Sequence, residues 1–276
     1  MTAAGWLGTV AAASRKELTV MVRYPVAIAA NFIQILLMVV VFTIATLMFA
    51  PGGTRAGSGQ TAITGIMIYG FVLFIFLTDT LWTVGYAVRR EQLEGTLDQL
   101  VMAPGPRSAH LVSRVVVSLL WTGLLCGSAV LVMRTMVRSL PLANTGLAAL
   151  VLALSLAGTF GVGFAFAALV LRVQQSAQVW ATVLQFLFML ICAPFFPFRV
   201  MPAWLRGIVC WIPLAQSVDA FRSVLMGLPR GFPELGPLSR ELWLIAAFAV
   251  SMPALGLWLY AREERRAREL GTLGQH

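Results

Sequence analysis

The sequence predicts an all-α, polytopic membrane protein with six transmembrane helices, and three observations carry that prediction. Apolar residues make up 59% of the 276 and charged residues only 11%, against about 25% charged in ordinary globular chains. One core of this size cannot hide so much apolar surface, so the chain requires lipid. Six windows, near 26–50, 61–87, 109–133, 145–171, 177–198 and 241–261, reach the roughly 20 apolar residues that carry a helix across a bilayer. Backbone polar groups find no water in hydrocarbon, so these windows are helices.

Residues 1–24 precede the first window. Leu7, Val10, Ala11, Leu18, Met21 and Val22 fall on one helical face, with Thr9, Lys16, Thr19 and Arg23 opposite. That pattern predicts an interfacial helix lying on the membrane and entering the first span at Pro25. A cleavable signal is not expected, because no h-region leads to a small-residue cleavage site. Window two carries Asp79, within Thr78-Asp79-Thr80, the one acidic residue deep in a confident span. Window four is rich in small residues (Gly158, Gly161, Gly163, Ala165, Ala167, Ala168). These permit close helix approach, either within one subunit or at a dimer seam. Between windows five and six, residues 199–240 form the longest non-spanning piece. Pro197, Pro202, Pro213 and Gly227 cut it into two short helices of re-entrant or interfacial type, placed outside the cell.

The net charge of +9 comes almost wholly from arginine. The arginines cluster at span ends rather than on one soluble face, so they mark topology and anionic headgroups, not nucleic acid. With the N-terminus inside, cytoplasmic segments hold 12 of the 20 basic residues. The Arg89-Arg90 pair and the Arg262-Glu263-Glu264-Arg265-Arg266 cluster lie against span ends. Both termini are therefore placed in the cytoplasm. Cys126, Cys192 and Cys210 show no paired spacing and read as small buried hydrophobes.

Several chemistries find no residues. No GxxxxGK[ST] occurs, and Lys16, the only lysine, stands between Arg15 and Glu17, so the chain has no phosphate-cradling loop. His110 and His276 are the only histidines, without a Cys or carboxylate cluster, which leaves metal hydrolysis and Ser-His catalysis unsupported. No catalytic residue and no metal site are assigned.

Residues 88–107 form a charged helical pattern between windows two and three. Leu93, Leu97, Leu100 and Val101 make one apolar stripe, with Arg90, Glu91, Glu94 and Asp98 on the remainder. Arg90 and Glu94 form an i, i+4 pair. Gly95 costs about 1 kcal/mol of helix stability relative to Ala, which a close backbone approach by a partner would justify. The alternative is an ordinary surface helix in the headgroups. Glu91, Gly95-Thr96-Leu97, Leu100 and Pro104, and later Met201-Pro202-Ala203-Trp204-Leu205, Ile212-Pro213-Leu214 and Asp219…Arg222 with Gly227, resemble ABC-2 type transporter permeases. The likeness is to the drug-exporter branch typified by daunorubicin-resistance permeases, and it covers most of the chain.

The resemblance implies a permease subunit in a bacterial plasma membrane, with 1–276 forming a single transmembrane domain. It implies that 88–107 is the cytoplasmic coupling helix, with Arg90, Glu91, Leu93, Glu94, Gly95, Thr96, Leu97, Gln99, Leu100 and Pro104 facing a separate ABC ATPase. Two ATPase copies would dock beneath, carrying the ATP and magnesium; this chain would hold no cofactor. A second permease copy or a homologous permease would complete the pathway within the membrane lipids. The substrate implied is a hydrophobic drug or antibiotic, or else a lipid, glycolipid or polysaccharide precursor. From other classes stand an ion-coupled secondary multidrug transporter, for which Asp79 is the best feature, and a membrane scaffold. Asp79 itself is either a satisfied polar group or a contact for a cationic substrate. Phe71, Phe74, Phe76, Trp82, Phe160, Phe164, Phe186 and Phe188 either pack in the core, face lipid or line a path, and no substrate site is placed on them.

Overall fold

The computed structural model describes residues 3–23, 58–85, 142–173, 176–228 and 231–269, with scattered positions between 26 and 44 and between 113 and 127. Every regular element among them is helical. In chain order these are α1 (Ala3–Arg23), α2 (Ser58–Thr80) running into a π-turn (Leu81–Gly85), α3 (Thr145–Val173), α4 (Ala177–Cys192), a 3₁₀ turn (Phe198–Val200), α5 (Ala203–Val209), α6 (Pro213–Leu225) and α7 (Leu238–Glu269). The described positions in windows one and three are helical as well.

Among the described residues, three helices are long and apolar enough to cross a membrane: Gly65–Thr83, Thr145–Arg172 and Leu238–Arg266. They coincide with windows two, four and six. Window five does not run its full predicted length. α4 stops at Cys192, because Ala193 turns left-handed (φ 43) and Pro194 and Pro197 come next. Apolar Phe195, Phe196 and Phe198 extend the hydropathy of that window beyond its helix. With 16 residues, α4 is about 24 Å long, shorter than the roughly 30 Å hydrocarbon core.

The bundle is organised around α3 and α7, which approach backbone to backbone. A side chain on Gly161 would fall on the main chain of Met252 and Pro253, and one on Gly256 would fall on the Gly161 carbonyl. Gly158 receives the Phe248 ring. The small residues of window four therefore serve packing within this subunit. On the other side, Tyr69, Leu73 and Leu77 of α2, with Leu81 of the π-turn, recur every fourth residue and are fully buried. Gly70 lets the Pro194 carbonyl come within 2.8 Å of where a Cβ would stand, pinning α2 against the turn that ends α4.

The outer faces carry large apolar side chains. Val179, Trp180, Val183, Phe186, Leu187 and Leu190 are exposed along α4, and Trp243, Val250, Leu257 and Trp258 along α7. In water this would be an aggregation surface; in a bilayer it is the lipid contact. Trp243 and Trp258 lie near opposite ends of the α7 span, about 22 Å apart along the helix, as interfacial aromatic belts require. The Arg262 guanidinium sits 5.5 Å from the Trp258 ring, at the start of the charged C-terminal cluster. α1 leaves none of its described residues buried.

Candidate functional site

The segment predicted to meet a partner, with Arg90, Glu91, Leu93, Glu94, Gly95, Thr96, Leu97, Gln99, Leu100 and Pro104, lies outside the described residues. Its approach from the membrane is described. The last turns of α2 contain Thr78, Asp79 and Thr80. The threonine hydroxyls donate back to their own helix, to the Phe74 and Phe76 carbonyls at 2.8 Å each. Such back-bonding bends helices, and the helix passes at once into the π-turn at Leu81–Gly85. A π-turn inserts an extra residue and so rotates the next stretch of chain about the helix axis.

Asp79 is half-buried and accepts a hydrogen bond from the Ser118 hydroxyl at 2.9 Å. The donor thus comes from window three, not from the adjacent threonines. Three residues on, Trp82 Nε1 donates to Gln185 Oε1 of α4 at 2.9 Å. The C-terminal end of α2 and its π-turn are tied by polar bonds to two other helices just before the 88–107 segment begins. Six of the eight aromatics named from the sequence, Phe71, Phe74, Phe76, Phe160, Phe164 and Phe188, are buried within the subunit. The rings of Phe71 and Phe74 pack on Phe195, with centroids 5.6 and 6.3 Å away. Phe186 is exposed on the outer face of α4, and Trp82 is half-buried.

A second polar centre was not anticipated as a site. α5 and α6 form a hairpin bent by 94°, with Pro213 at the start of α6. Leu214 to Leu225 are all buried, including Gln216, Asp219, Arg222 and Ser223. Arg222 is the hub. Its Nε reaches Asp219 Oδ1 at 3.2 Å, one terminal nitrogen reaches Glu234 Oε2 at 3.2 Å, and the other the Phe196 carbonyl at 3.4 Å. The guanidinium lies 4.5 Å from the centre of the Phe198 ring. Asp219 Oδ2 accepts the backbone N–H groups of Glu234 and Leu235, both at 2.7 Å. Glu234 accepts the Phe198 N–H and pairs with Arg199 at 3.2 Å. Burial pushes the Glu234 carboxyl up, and the Arg222 guanidinium draws it back.

These contacts tie α6, the 3₁₀ turn and the 231–237 loop into one ionic knot, with Arg222 and Asp219 wholly out of solvent. Apart from the Asp219…Arg222 motif, its legible signal was scarcity. Asp219 and Glu234 are the only acidic residues between Asp98 and Glu241, and acids placed so sparingly in apolar sequence need partners. Among the described residues, no three His, Cys, Asp or Glu side chains converge as a metal site would require.

The described residues thus combine helices with apolar exposed faces, a hairpin locked by ions, and an end of α2 tethered by polar bonds ahead of a charged segment. No curated protein matches the sequence. The family model described as ABC-2 type transporter matches residues 9–226, from within α1 through the end of α6. The chain is a multi-pass membrane protein that belongs to the ABC-2 type transporter family.

Proposed function

We propose that this chain is the permease subunit of an ATP-driven exporter in a bacterial plasma membrane, moving a hydrophobic or amphipathic molecule of the drug or antibiotic kind. The observation that carries the reading is the family match across 9–226, joined to a sequence with no phosphate-binding lysine loop of its own. The energy source must then be a separate ATPase. Two copies dock on the 88–107 segments of two permease subunits, and both termini face them from the cytoplasm.

In this reading nucleotide-driven closure of the ATPases moves the coupling segment. The Asp79–Ser118 and Trp82–Gln185 bonds carry that motion to window three and α4. A ligand shifts such an equilibrium only through unequal contacts with its two states. The stripe of Leu93, Leu97 and Leu100 inserts into a groove of the ATPase, with Gly95 allowing close approach. The reading extends to the daunorubicin-resistance branch through Glu91, Gly95-Thr96-Leu97 and Pro104.

The experiment is capture of the ATPase together with substrate export at matched permease abundance. Leu97→Asp places an unpaired charge in a desolvated contact, which costs several kcal/mol, and Gly95→Trp blocks the approach. Both variants insert normally and lose binding and export together. Full binding and export in both would make 88–107 an ordinary surface helix.

A further inference from the structure

One carboxyl group beside the knot has no donor. Glu241, in the first turn of α7, is fully buried, and neither of its oxygens accepts a hydrogen bond. It lies against the carboxyl group of Asp219, with Arg222 and Arg240 as the neighbouring cations. Both cations are engaged elsewhere. Arg222 spends its donors on Asp219, Glu234 and the Phe196 carbonyl. Arg240 donates to the Cys210 carbonyl at 3.1 Å and stacks 4.5 Å from the centre of the Trp211 ring. From the loop, Glu234 is held by Arg222 and Arg199. From α3, the other helix packed on α7, there is no charged side chain until Arg172 near its far end.

Asp219 offers no donor either, since its two oxygens already accept three N–H bonds. Ionised carboxylates are acceptors only, and two in contact form a hydrogen bond only when a proton lies between them. A buried carboxylate with no hydrogen-bond donor, beside another carboxylate and with its neighbouring cations already bonded to other groups, is costly at this depth. Metal coordination is not served by the geometry, because no third ligand of the right type converges among the described residues.

We propose that Glu241 and Asp219 together bind one proton, and that this proton closes the junction of α6, α7 and the 231–237 loop. With the proton in place, Glu241 donates to Asp219 and the first turn of α7 is fastened to the knot. Without it, two like charges meet out of water and the turn is driven away from α6. The junction is thereby a proton-operated latch on the hairpin that precedes the last span. The inference does not depend on the export reading, because it concerns the closed junction alone.

The test is the stability of the full chain in lipid nanodiscs between about pH 6 and pH 10, where a proton held only in the folded state makes the folded-to-unfolded ratio fall up to tenfold per pH unit as pH rises, levelling off once the proton has left. Wild-type protein shows that slope. Glu241→Gln, whose amide supplies a permanent donor, removes it, and so does Glu241→Met, which removes the charge and the hydrogen bond together. Infrared spectra of the wild type contain a buried protonated-carboxyl stretch that disappears over the same pH range and is missing in Glu241→Gln. A wild-type stability that ignores pH, an equal slope in both variants, or no such band overturns the proposal. So does a stabilisation by sodium or calcium at fixed pH, which would place a metal cation between the two carboxylates.

Discussion

Replacing Arg222 by Met tests how far the ionic knot governs the stability of the α5–α6 hairpin. The guanidinium is wholly buried and holds two carboxylates, one with no exposed side-chain surface and the other 1% exposed. Its removal leaves Asp219 without its paired guanidinium, and Glu234 with only Arg199, which reaches it from a side chain that is 54% exposed. Breaking one buried pair in this way costs about 3–5 kcal/mol. At about 1.4 kcal/mol per decade, that is two to nearly four orders of magnitude in the folded-to-unfolded ratio. Against a typical total of about 5–15 kcal/mol, that is at least about a fifth of the margin. The assay is unfolding of the purified protein in nanodiscs, with Arg266→Met as the control. Arg266 pairs with Glu263 at 3.4 Å from a side chain 52% exposed, and its loss should stay within about 1 kcal/mol. The triple variant Asp219→Asn, Arg222→Met, Glu234→Gln removes the stranded charges and should recover much of the loss. If Arg222→Met unfolds within about 1 kcal/mol of wild type, or the triple variant is no better than the single one, the electrostatic reasoning is wrong.

Three further outcomes are expected. Gly161→Leu should destabilise the α3–α7 pair by at least the 1–3 kcal/mol typical of overpacking, because the new atoms meet the Met252 and Pro253 main chain. Gly146→Leu, which meets nothing within 4 Å, should leave the melting temperature nearly unchanged. Single cysteines placed at Ser108 and Gly271 should resist an impermeant label in intact cells while one at Ser239 reacts; labelling of both inner positions would overturn the topology. Asp79→Asn should weaken export of cationic compounds and spare neutral ones. A uniform effect at normalised protein level would make Asp79 a structural acceptor for Ser118.

Hydropathy located windows two, four and six, because the described part of each apolar run lies on one unbroken stretch of helix. Window five shows what the measure cannot see. Phe195, Phe196 and Phe198 are as apolar as the helix before them, but Pro194 and the left-handed Ala193 have already turned the chain. The glycines of window four were legible as a close approach, but their partner was not. Pro253 and Gly256 belong to the last span, far along the chain, and nothing in the spacing of Gly158 and Gly161 names them. The knot escaped for a related reason. Asp219 and Arg222 are one helical turn apart and stood out only within a motif. Glu234 arrives from a loop with no periodicity, and Glu241 from the next helix. Long-range ion pairing leaves no period in a sequence. The Asp79 donor was equally hidden, since the obvious hydroxyls at Thr78 and Thr80 are spent on their own backbone.

Reconstitution into liposomes tests the central claim most directly. The purified permease is assayed for movement of an amphipathic fluorescent compound, alone and with its ATPase, under ATP or under a proton gradient. The account predicts no movement by the permease alone with either energy source, and ATP-dependent movement once the ATPase is added. Movement by the permease alone under a proton gradient, with no ATPase present, would contradict it and identify a secondary transporter.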